Sequence, residues 1–306
     1  MTKNMIDISN LSTEQKNDRT ENLDTLDSHS IVKLMNEEDM NVIFAVKNET
    51  NNIAKAIDAI SKKLKLGGRL IYVGAGSSGR IGVIDSAECP PTFGVKEDMV
   101  IGLIAGGNDA MFSAIEGAED SFDYGRKDLI NLNLSAMDTV VGLAASGRTP
   151  YVIGALKYAR SIGALSISIS CSKNSEISKL TDIGIEVNVG PEILTGSTRL
   201  KAGTAQKMIL NMISTGVMVK LGKVYKNLMV DVKATNNKLK SRAINIFCAV
   251  TKSSSDEAKL YISKAKGSVK VAIIMKLLGY DYKKALDNLE YNEGFLRKCI
   301  GENEDE

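Results

Sequence analysis

The segment 69–94, RLIYVGAGSSGRIGVIDSAECPPTFG, decides the fold. Leu70 to Val73 is short and wholly apolar, the composition of a parallel strand buried on both faces. Gly74-Ala75-Gly76-Ser77-Ser78-Gly79 interrupts it with residues that tolerate positive φ. Ile81, Val83, Ile84 and Ala87 then recur at helical spacing. Pro90-Pro91 is expected to stop that helix, because the residue before a proline is pushed out of the α region. A strand, a glycine-serine turn and a helix in this order gather free backbone N–H groups and the positive end of a helix dipole at the turn. With the Ser77 and Ser78 hydroxyls and the Arg80 guanidinium beside them, the turn suits a phosphate. Glu88 falls at the other end of the helix, where the dipole disfavours a carboxylate. It reads either as a solvated surface glutamate, the usual fate of the residue type, or as a partly buried general acid.

Outward from this unit, strand-like runs recur at Val100 to Ile104, Thr139 to Ala144, Leu165 to Ile169 and Ile185 to Val189, separated by stretches of crossover length. This is the α/β class: a doubly wound, parallel five-stranded sheet with helices on both faces. Before it, residues 1–30 are polar and weakly patterned. Ile31 to Leu66 carries apolar residues near a 3.6 repeat, read as two helices. After it, Leu200 to Leu221 reads as a long helix whose methionines belong to a core. Lys240 to Ile300 reads as a small helical domain with TKSSSDEAK near its start, and GENEDE as a disordered acidic tail. The expected divisions are an N-terminal arm and helix over 1–50, the sheet domain over 51–239, and a helical domain with its tail over 240–306.

The 306 residues suffice for one large or two modest cores, and 43% hydrophobic with 25% charged residues is an ordinary globular balance. Lys and Arg total 39 against 37 acidic residues, a formal charge of +2, which makes no electrostatic case for nucleic acid or an anionic membrane. Cys89, Cys171, Cys248 and Cys299 lack metal or disulfide spacing, and neither a signal-peptide core nor a membrane-length apolar run is present. A reduced, cytoplasmic protein is expected. His29 is the single histidine, so a histidine-ligated metal or a Ser-His-Asp triad is hard to build, and no metal or cofactor is expected.

Ser146-Gly147-Arg148-Thr149-Pro150 follows the strand VVGLAA just as Ser78-Gly79-Arg80 follows LIYVGAG. Ligands of open α/β sheets bind beyond the carboxyl ends of strands, so both turns, and Gly106-Gly107 after the second strand, could face one crevice. Hydroxyls at helix starts are also often plain caps, and Arg148 reads equally as a surface arginine. Gly74, Gly76 and Gly79 satisfy the dinucleotide fingerprint as well. However, the acid that should follow the second strand is replaced by Ala105-Gly106-Gly107-Asn108, which speaks against a dinucleotide, and the serines of the two loops favour a monophosphate over a pyrophosphate. A carboxylate cluster, Glu116, Glu119, Asp120 and Asp123, is read on a helix with like charges at i,i+4. Either it is a wet surface or one member transfers protons.

Four blocks carry a resemblance: GAGSSGRIGVIDSAECPPTFG, GLIAGGNDAMFSAIEGAED, GLAASGRTPYVIGALKYAR and the long run beginning GPEILTGSTRLKAGTAQKMILNM. From about Leu11 to Arg242 the chain resembles the bacterial N-acetylmuramic acid 6-phosphate etherases. The resemblance implies a sugar isomerase (SIS) domain, a homodimer with its site near the subunit interface, and a phosphorylated amino sugar as substrate. It also implies cleavage of the lactyl ether to N-acetylglucosamine 6-phosphate and D-lactate in cell-wall recycling. By motif, Glu88 in AECPPTFG and Glu119 in EGAED are the implied catalytic pair. Glu88 is assigned as proton donor and Glu119 as the second acid/base, and the reverse or a sharing of roles stays open. Ser77, Ser78, Arg80, Ser146, Arg148, Thr149, Ser197 and Thr198 are the phosphate and sugar candidates, the last two because Gly196-Ser197-Thr198 opens the long helix. Two alternatives use the same sheet. One is a non-catalytic sugar-phosphate sensor, against which retention of both glutamates speaks. The other is an aldose-ketose isomerase, which leaves the lactyl-specific blocks unexplained.

Overall fold

Leu70, Ile71, Tyr72 and Val73 are fully buried and form the central strand of a parallel sheet. The structure is a computed structural model that describes residues 12–232 and 237–302. The chain folds as two compact units. The first comprises the described residues up to Ala87 with Asp98–Ser214, and the second comprises Glu88–Glu97 with the described residues from Thr215 onward.

In the first unit, three short turns, Ser12–Glu14, Asp18–Thr20 and Leu23–Thr25, precede helices α1 (Ser28–Asn48) and α2 (Thr50–Lys65). Asp27 caps α1 by accepting from Ser30 N at 2.8 Å. There follow β1 (Leu70–Gly74), α3 (Gly76–Phe93), β2 (Val100–Ile104), α4 (Phe122–Asn131), β3 (Thr139–Leu143), α5 (Pro150–Ile162), β4 (Leu165–Ser170), β5 (Ile183–Glu186) and α6 (Lys201–Lys220). The five strands are all parallel, as the sequence predicts, and their order is β2-β1-β3-β4-β5. The chain leaves β1 toward one edge and returns to the other side at β3, so the switch point lies between the ends of β1 and β3.

Alternation along β1 sends Ile71 and Val73 to one face, where they pack with Val140, Leu129 of α4 and Tyr151, Val152 and Leu156 of α5. Tyr72 faces the other side. A Cβ at Gly82 of α3 would meet the Tyr72 Cβ at 3.0 Å, and the Tyr72 hydroxyl donates to Asp85 Oδ2 at 2.9 Å. The buried Asp85 carboxylate also accepts from Asn211 Nδ2 at 2.7 Å and Ser214 Oγ at 3.0 Å, tying α3 to α6. At the opposite end of the sheet, Asp138 accepts from the backbone and guanidinium of Arg69 and from Ser135, which locks the starts of β1 and β3 together. Burial alone would raise the Asp138 carboxyl. The Arg69 and Ser135 hydrogen bonds outweigh it and hold the group below its usual range.

The second unit gathers α7 (Asn237–Thr251), α8 (Ser255–Lys264), α9 (Val269–Leu278), α10 (Tyr282–Tyr291) and α11 (Leu296–Cys299). Every residue from Val269 to Met275 is buried, so α9 is the axis of a core with Leu239, Ile246, Phe247 and Leu296. Within it the Lys270 ammonium donates to Asp231 Oδ2 at 2.7 Å and Gly294 O at 2.9 Å. The TKSSSDEAK stretch starts α8 through a capping box between Ser254 and Glu257.

Several sequence expectations require correction. Pro90-Pro91 does not stop α3, which runs on to Phe93. The pyrrolidine ring fixes φ at a helical value, so two prolines near a helix end cost donors but not direction. The stop is Gly94 at φ +66, with Gly94 N donating to Pro90 O at 3.0 Å. The fifth strand is Ile183–Glu186 rather than Ile185 to Val189; the apolar run outlasts the strand. The stretch 112–121 is not helical, because Gly117 adopts φ +73 and Ser121 caps a helix that begins only at Phe122. The like-charge i,i+4 pairs of a continuous helix therefore do not form. Of the expected tail, Glu302 accepts from the Tyr225 hydroxyl at 2.7 Å and pairs with Arg297 at 3.3 Å. Residues 303–306, like 1–11 of the expected arm, lie outside the described residues.

Candidate active site

Two glycines set the position of the first helix start. A Cβ at Gly74 would lie 2.7 Å from Gly79 N, and one at Gly79 would lie 2.7 Å from both Gly74 O and Ile104 Cγ1. No side chain fits between the end of β1 and the first turn of α3. Their mutual approach brings the unpaired N–H groups of that turn to the edge of the sheet. Ser77 is half-buried there, and Ser78 is buried with its hydroxyl donating to Gln206 Oε1 of α6 at 2.8 Å.

The second Ser-Gly-Arg turn leaves β3. Gly147 adopts φ +70, and a Cβ there would strike Ser175 at 2.3 Å. Arg148 N donates to Ser146 Oγ at 3.4 Å, and Thr149 precedes Pro150, the first residue of α5. The backbone of α5 also places the acidic loop, because Tyr151 N donates to Glu119 O at 3.0 Å. Arg80 braces the same loop from the other side. Its Nε donates to Met111 O at 3.0 Å and its Nη2 to Ser113 O at 3.4 Å.

The third element is the start of α6. Glu192, wholly buried, accepts from Lys201 N and Ala202 N, each at 2.9 Å, and so occupies the donors that an external anion would otherwise use. Burial raises the Glu192 carboxyl despite those bonds. The Lys201 side chain turns inward to Glu38 Oε2 at 2.7 Å, and Asn17 Nδ2 donates to the same oxygen at 2.9 Å.

These elements converge on one cavity of about 380 Å³, lined by Glu14, Ala75–Ser78, Glu119, Asp120, Ala144–Ser146, Arg148–Pro150 and Thr198. It lies at the switch point between β1 and β3. Of the sequence candidates, Ser77, Ser78, Glu119, Ser146, Arg148, Thr149 and Thr198 meet here. Arg80 lines an adjoining cavity of about 320 Å³ that shares Ala75, Gly76 and Glu119. Ser197 is half-buried in the turn before α6, outside the lining residues. Glu88 belongs to the other unit and is exposed near the end of α3. Asp120 comes from the carboxylate cluster read in the sequence, whereas Glu14, Gln206 and Glu192 escaped sequence reasoning. Glu14 had no motif signal, and the spacing of Glu192 before the Gly-Ser-Thr turn becomes meaningful only once the cap is seen.

Among the lining residues stand three carboxylates, Glu14, Glu119 and Asp120, and one guanidinium, Arg148. An anion in such a place is held by oriented N–H groups and hydroxyls rather than by net charge. The carboxylates are left for hydroxyls, amides and proton transfer. Among the described residues, no group of three or more His, Cys, Asp or Glu is placed to hold a metal, and no helix is long and apolar enough to cross a membrane.

The chain is similar to known proteins along nearly its whole length. A family model described as the glucokinase regulatory protein N-terminal SIS domain matches residues 52–160, and the SIS domain model matches 121–215. A protein of Geobacillus sp. named N-acetylmuramic acid 6-phosphate etherase is 54% identical over 290 residues, covering 95% of this chain and 98% of the relative. A protein of the same name from Oenococcus oeni is 55% identical over 297 residues, covering 97% and 100%. Among solved structures, a phosphoheptose isomerase from Francisella tularensis is 15% identical with a TM-score of 0.48, over 63% of this chain and 98% of the other.

Proposed function

This chain belongs to the N-acetylmuramic acid 6-phosphate etherases, and from that membership we propose how its residues divide the work. As a member it is a carbon–oxygen lyase. It cleaves the D-lactyl ether of N-acetylmuramic acid 6-phosphate by elimination and water addition, releasing N-acetylglucosamine 6-phosphate and D-lactate in amino-sugar recycling.

The observation that carries the site reading is the convergence of both Ser-Gly-Arg turns and Glu119 on one cavity at the switch point. The phosphate is held by the first-turn N–H groups of α3, that of Ser78 included, with the Ser77 hydroxyl, while the Ser78 hydroxyl fixes the turn through Gln206. Ser146, Arg148 and Thr149, with Thr198 and its neighbour Ser197, hold the rest of the sugar. Arg80 serves by bracing the loop that carries Glu119.

The open-chain aldehyde acidifies the proton on C2. One carboxylate removes that proton, its electrons form the C2–C3 double bond, and the C3–O bond breaks. The lactyl oxygen leaves protonated, because an alkoxide is a poor leaving group. Water then adds hydroxide to C3 and a proton to C2, so the net change is hydrolysis of the ether. Glu88 is assigned as proton donor and Glu119 as the second acid/base. Placement of the Glu119 backbone against the start of α5 supports its role.

We further propose that the chain acts as a homodimer. Met40, Ile43 and Phe44 on α1 are 56%, 55% and 65% exposed, an apolar face that a second copy would cover. The first compact unit serves as the phosphosugar-binding body, and the helices from α7 onward form a helical domain within the second. A charged sugar phosphate does not diffuse through lipid, which supports action in the cytoplasm.

The test is lactate release from N-acetylmuramic acid 6-phosphate by wild type, Glu88→Gln and Glu119→Gln. Each variant is expected to lose about 10²- to 10⁴-fold in kcat, the usual contribution of a general acid or base. A variant that keeps wild-type kcat loses its assigned role.

A further inference from the structure

The 380 Å³ cavity holds a carboxylate for which the reaction scheme above has no task. Glu14 comes from the first of the N-terminal turns, Ser12–Glu14, and this turn is built into the fold rather than draped over it. Thr13 is 0% exposed, and Ser12 Oγ donates to Cys171 O at 3.4 Å, just beyond the end of β4. Three residues after Glu14, the buried Asn17 reaches the Glu38–Lys201 pair at the start of α6. The Glu14 carboxylate lies beside the turn that precedes α6. A Cβ on Gly196, which adopts φ +77, would come within 3.1 Å of Glu14 Oε2.

Glu14 is half-buried, and among the described residues it has no hydrogen-bond or ion-pair partner. That sets it apart from the nearby carboxylates Glu38 and Glu192, each saturated by donors of the chain itself. A desolvated carboxylate without donors is costly, and a ligand that displaces water from the cavity must replace the water's hydrogen bonds. The phosphate cannot do this: it carries acceptors only, and its charge repels Glu14. Neither can the lactyl carboxylate. The donors left on an amino-sugar chain are its hydroxyls and its amide N–H.

We propose that Glu14 is a substrate-contacting, specificity-determining residue whose carboxylate accepts hydrogen bonds from hydroxyl or amide N–H groups of the sugar. The proposal rests on the phosphosugar reading of this cavity. It gives the N-terminal turn a direct part in recognition. It also makes the site selective for ligands with donors beside the turn that precedes α6, since an acceptor stripped of water and left unpaired penalises any ligand that lacks them.

The test measures lactate release from N-acetylmuramic acid 6-phosphate by wild type and by Glu14→Ala, Glu14→Gln and Glu14→Asp. Melting temperatures are taken alongside, together with the protection each protein gains from inorganic phosphate alone. Glu14→Ala is expected to lower kcat/KM about 10- to 100-fold, the range for a hydrogen bond to a charged group, mainly through KM. Glu14→Asp should recover part of the loss. The melting temperature should stay within about 2 °C of wild type, and the shift given by inorganic phosphate should be unchanged or larger, because a carboxylate offers an anion no donor and repels it. An Ala variant within threefold of wild type in kcat/KM overturns the proposal while leaving the etherase reading intact. So does a loss of inorganic-phosphate protection equal to the loss of substrate affinity, which would make Glu14 a structural prop of the phosphate turn. Wild type that releases no lactate overturns the etherase reading itself, and this proposal with it.

Discussion

Lys201→Met isolates the buried network that anchors the N-terminal turns. Lys201 is 1% exposed, and its Nζ lies 2.7 Å from Glu38 Oε2, on a residue that is 4% exposed. Methionine keeps the length of the side chain and its apolar stem but removes the ammonium. Glu38 retains Asn17 Nδ2 at 2.9 Å and Arg19 Nη1 at 2.8 Å, and the Arg19 side chain is 53% exposed. Breaking a buried pair by removing one partner costs about 3–5 kcal/mol. The surviving contact to a half-solvated arginine offsets about 1 kcal/mol of that. With about 2–4 °C per kcal/mol for a domain of this size class, a net 2–4 kcal/mol lowers the melting temperature of the first unit by roughly 4–16 °C.

The sign with pH follows from Glu38. Burial alone would raise its carboxyl, but the hydrogen bond and charge of Lys201, with Asn17 and Arg19, hold it below the ordinary value of 4.5. A depressed carboxylate contributes stability that is present above its unfolded pKa and is lost as pH falls through the folded one. The gap between wild type and Lys201→Met should therefore be full near neutrality and shrink as pH falls below 4.5. Calorimetry at stepped pH reads both features. Adding Glu38→Gln should restore at least half of the loss, since a neutral pair leaves no charge buried. A single variant melting within about 2 °C of wild type near neutrality, or a gap that widens in acid, would refute the reasoning.

Other expectations concern the sheet and the phosphate turn. Asp138→Asn should destabilise the first unit by about 2–4 kcal/mol, because it removes the charge that answers Arg69. Measured by denaturation at several pH values, that cost should fade as pH drops below 3.8, since the native carboxyl is held low. Gly79→Ala would set a methyl 2.7 Å from Gly74 O and Ile104 Cγ1. It should cost about 1–3 kcal/mol by overpacking, and it should weaken inorganic-phosphate binding in calorimetry; an unchanged affinity would show that the turn geometry is not what binds.

The sheet was legible because each of its inner strands is a short apolar run with nothing else to become. Leu70 to Val73 and Thr139 to Leu143 are buried on both faces, so their composition announces them. The serine-rich turns were legible for a similar reason, since Gly74 and Gly79 permit only one approach of strand to helix. What failed were judgements that weighed one residue's habit against its context. The proline pair was read as a stop although proline's φ is helical, and Gly117 was passed over in a stretch whose carboxylates looked helical. The Glu38–Lys201 pair could not be read at all, since its partners stand 163 positions apart and neither has a local pattern. Glu14 was hidden for the same reason: its meaning lies in what surrounds it once the chain has folded. The family resemblance rested on long blocks, and relatives more than half identical over nearly the whole chain bear it out.

The contact between Gly74 and Gly79 has a thermodynamic consequence. Strand and helix touch backbone to backbone, so the amide groups of the turn are aimed before any ligand arrives and have no rotamers to freeze. Binding there spends little entropy on ordering the protein, which leaves more of each hydrogen bond available as affinity. If the turn holds the phosphate as proposed, its recognition is written in atoms the two residues lack, and any side chain added at either position would blur it.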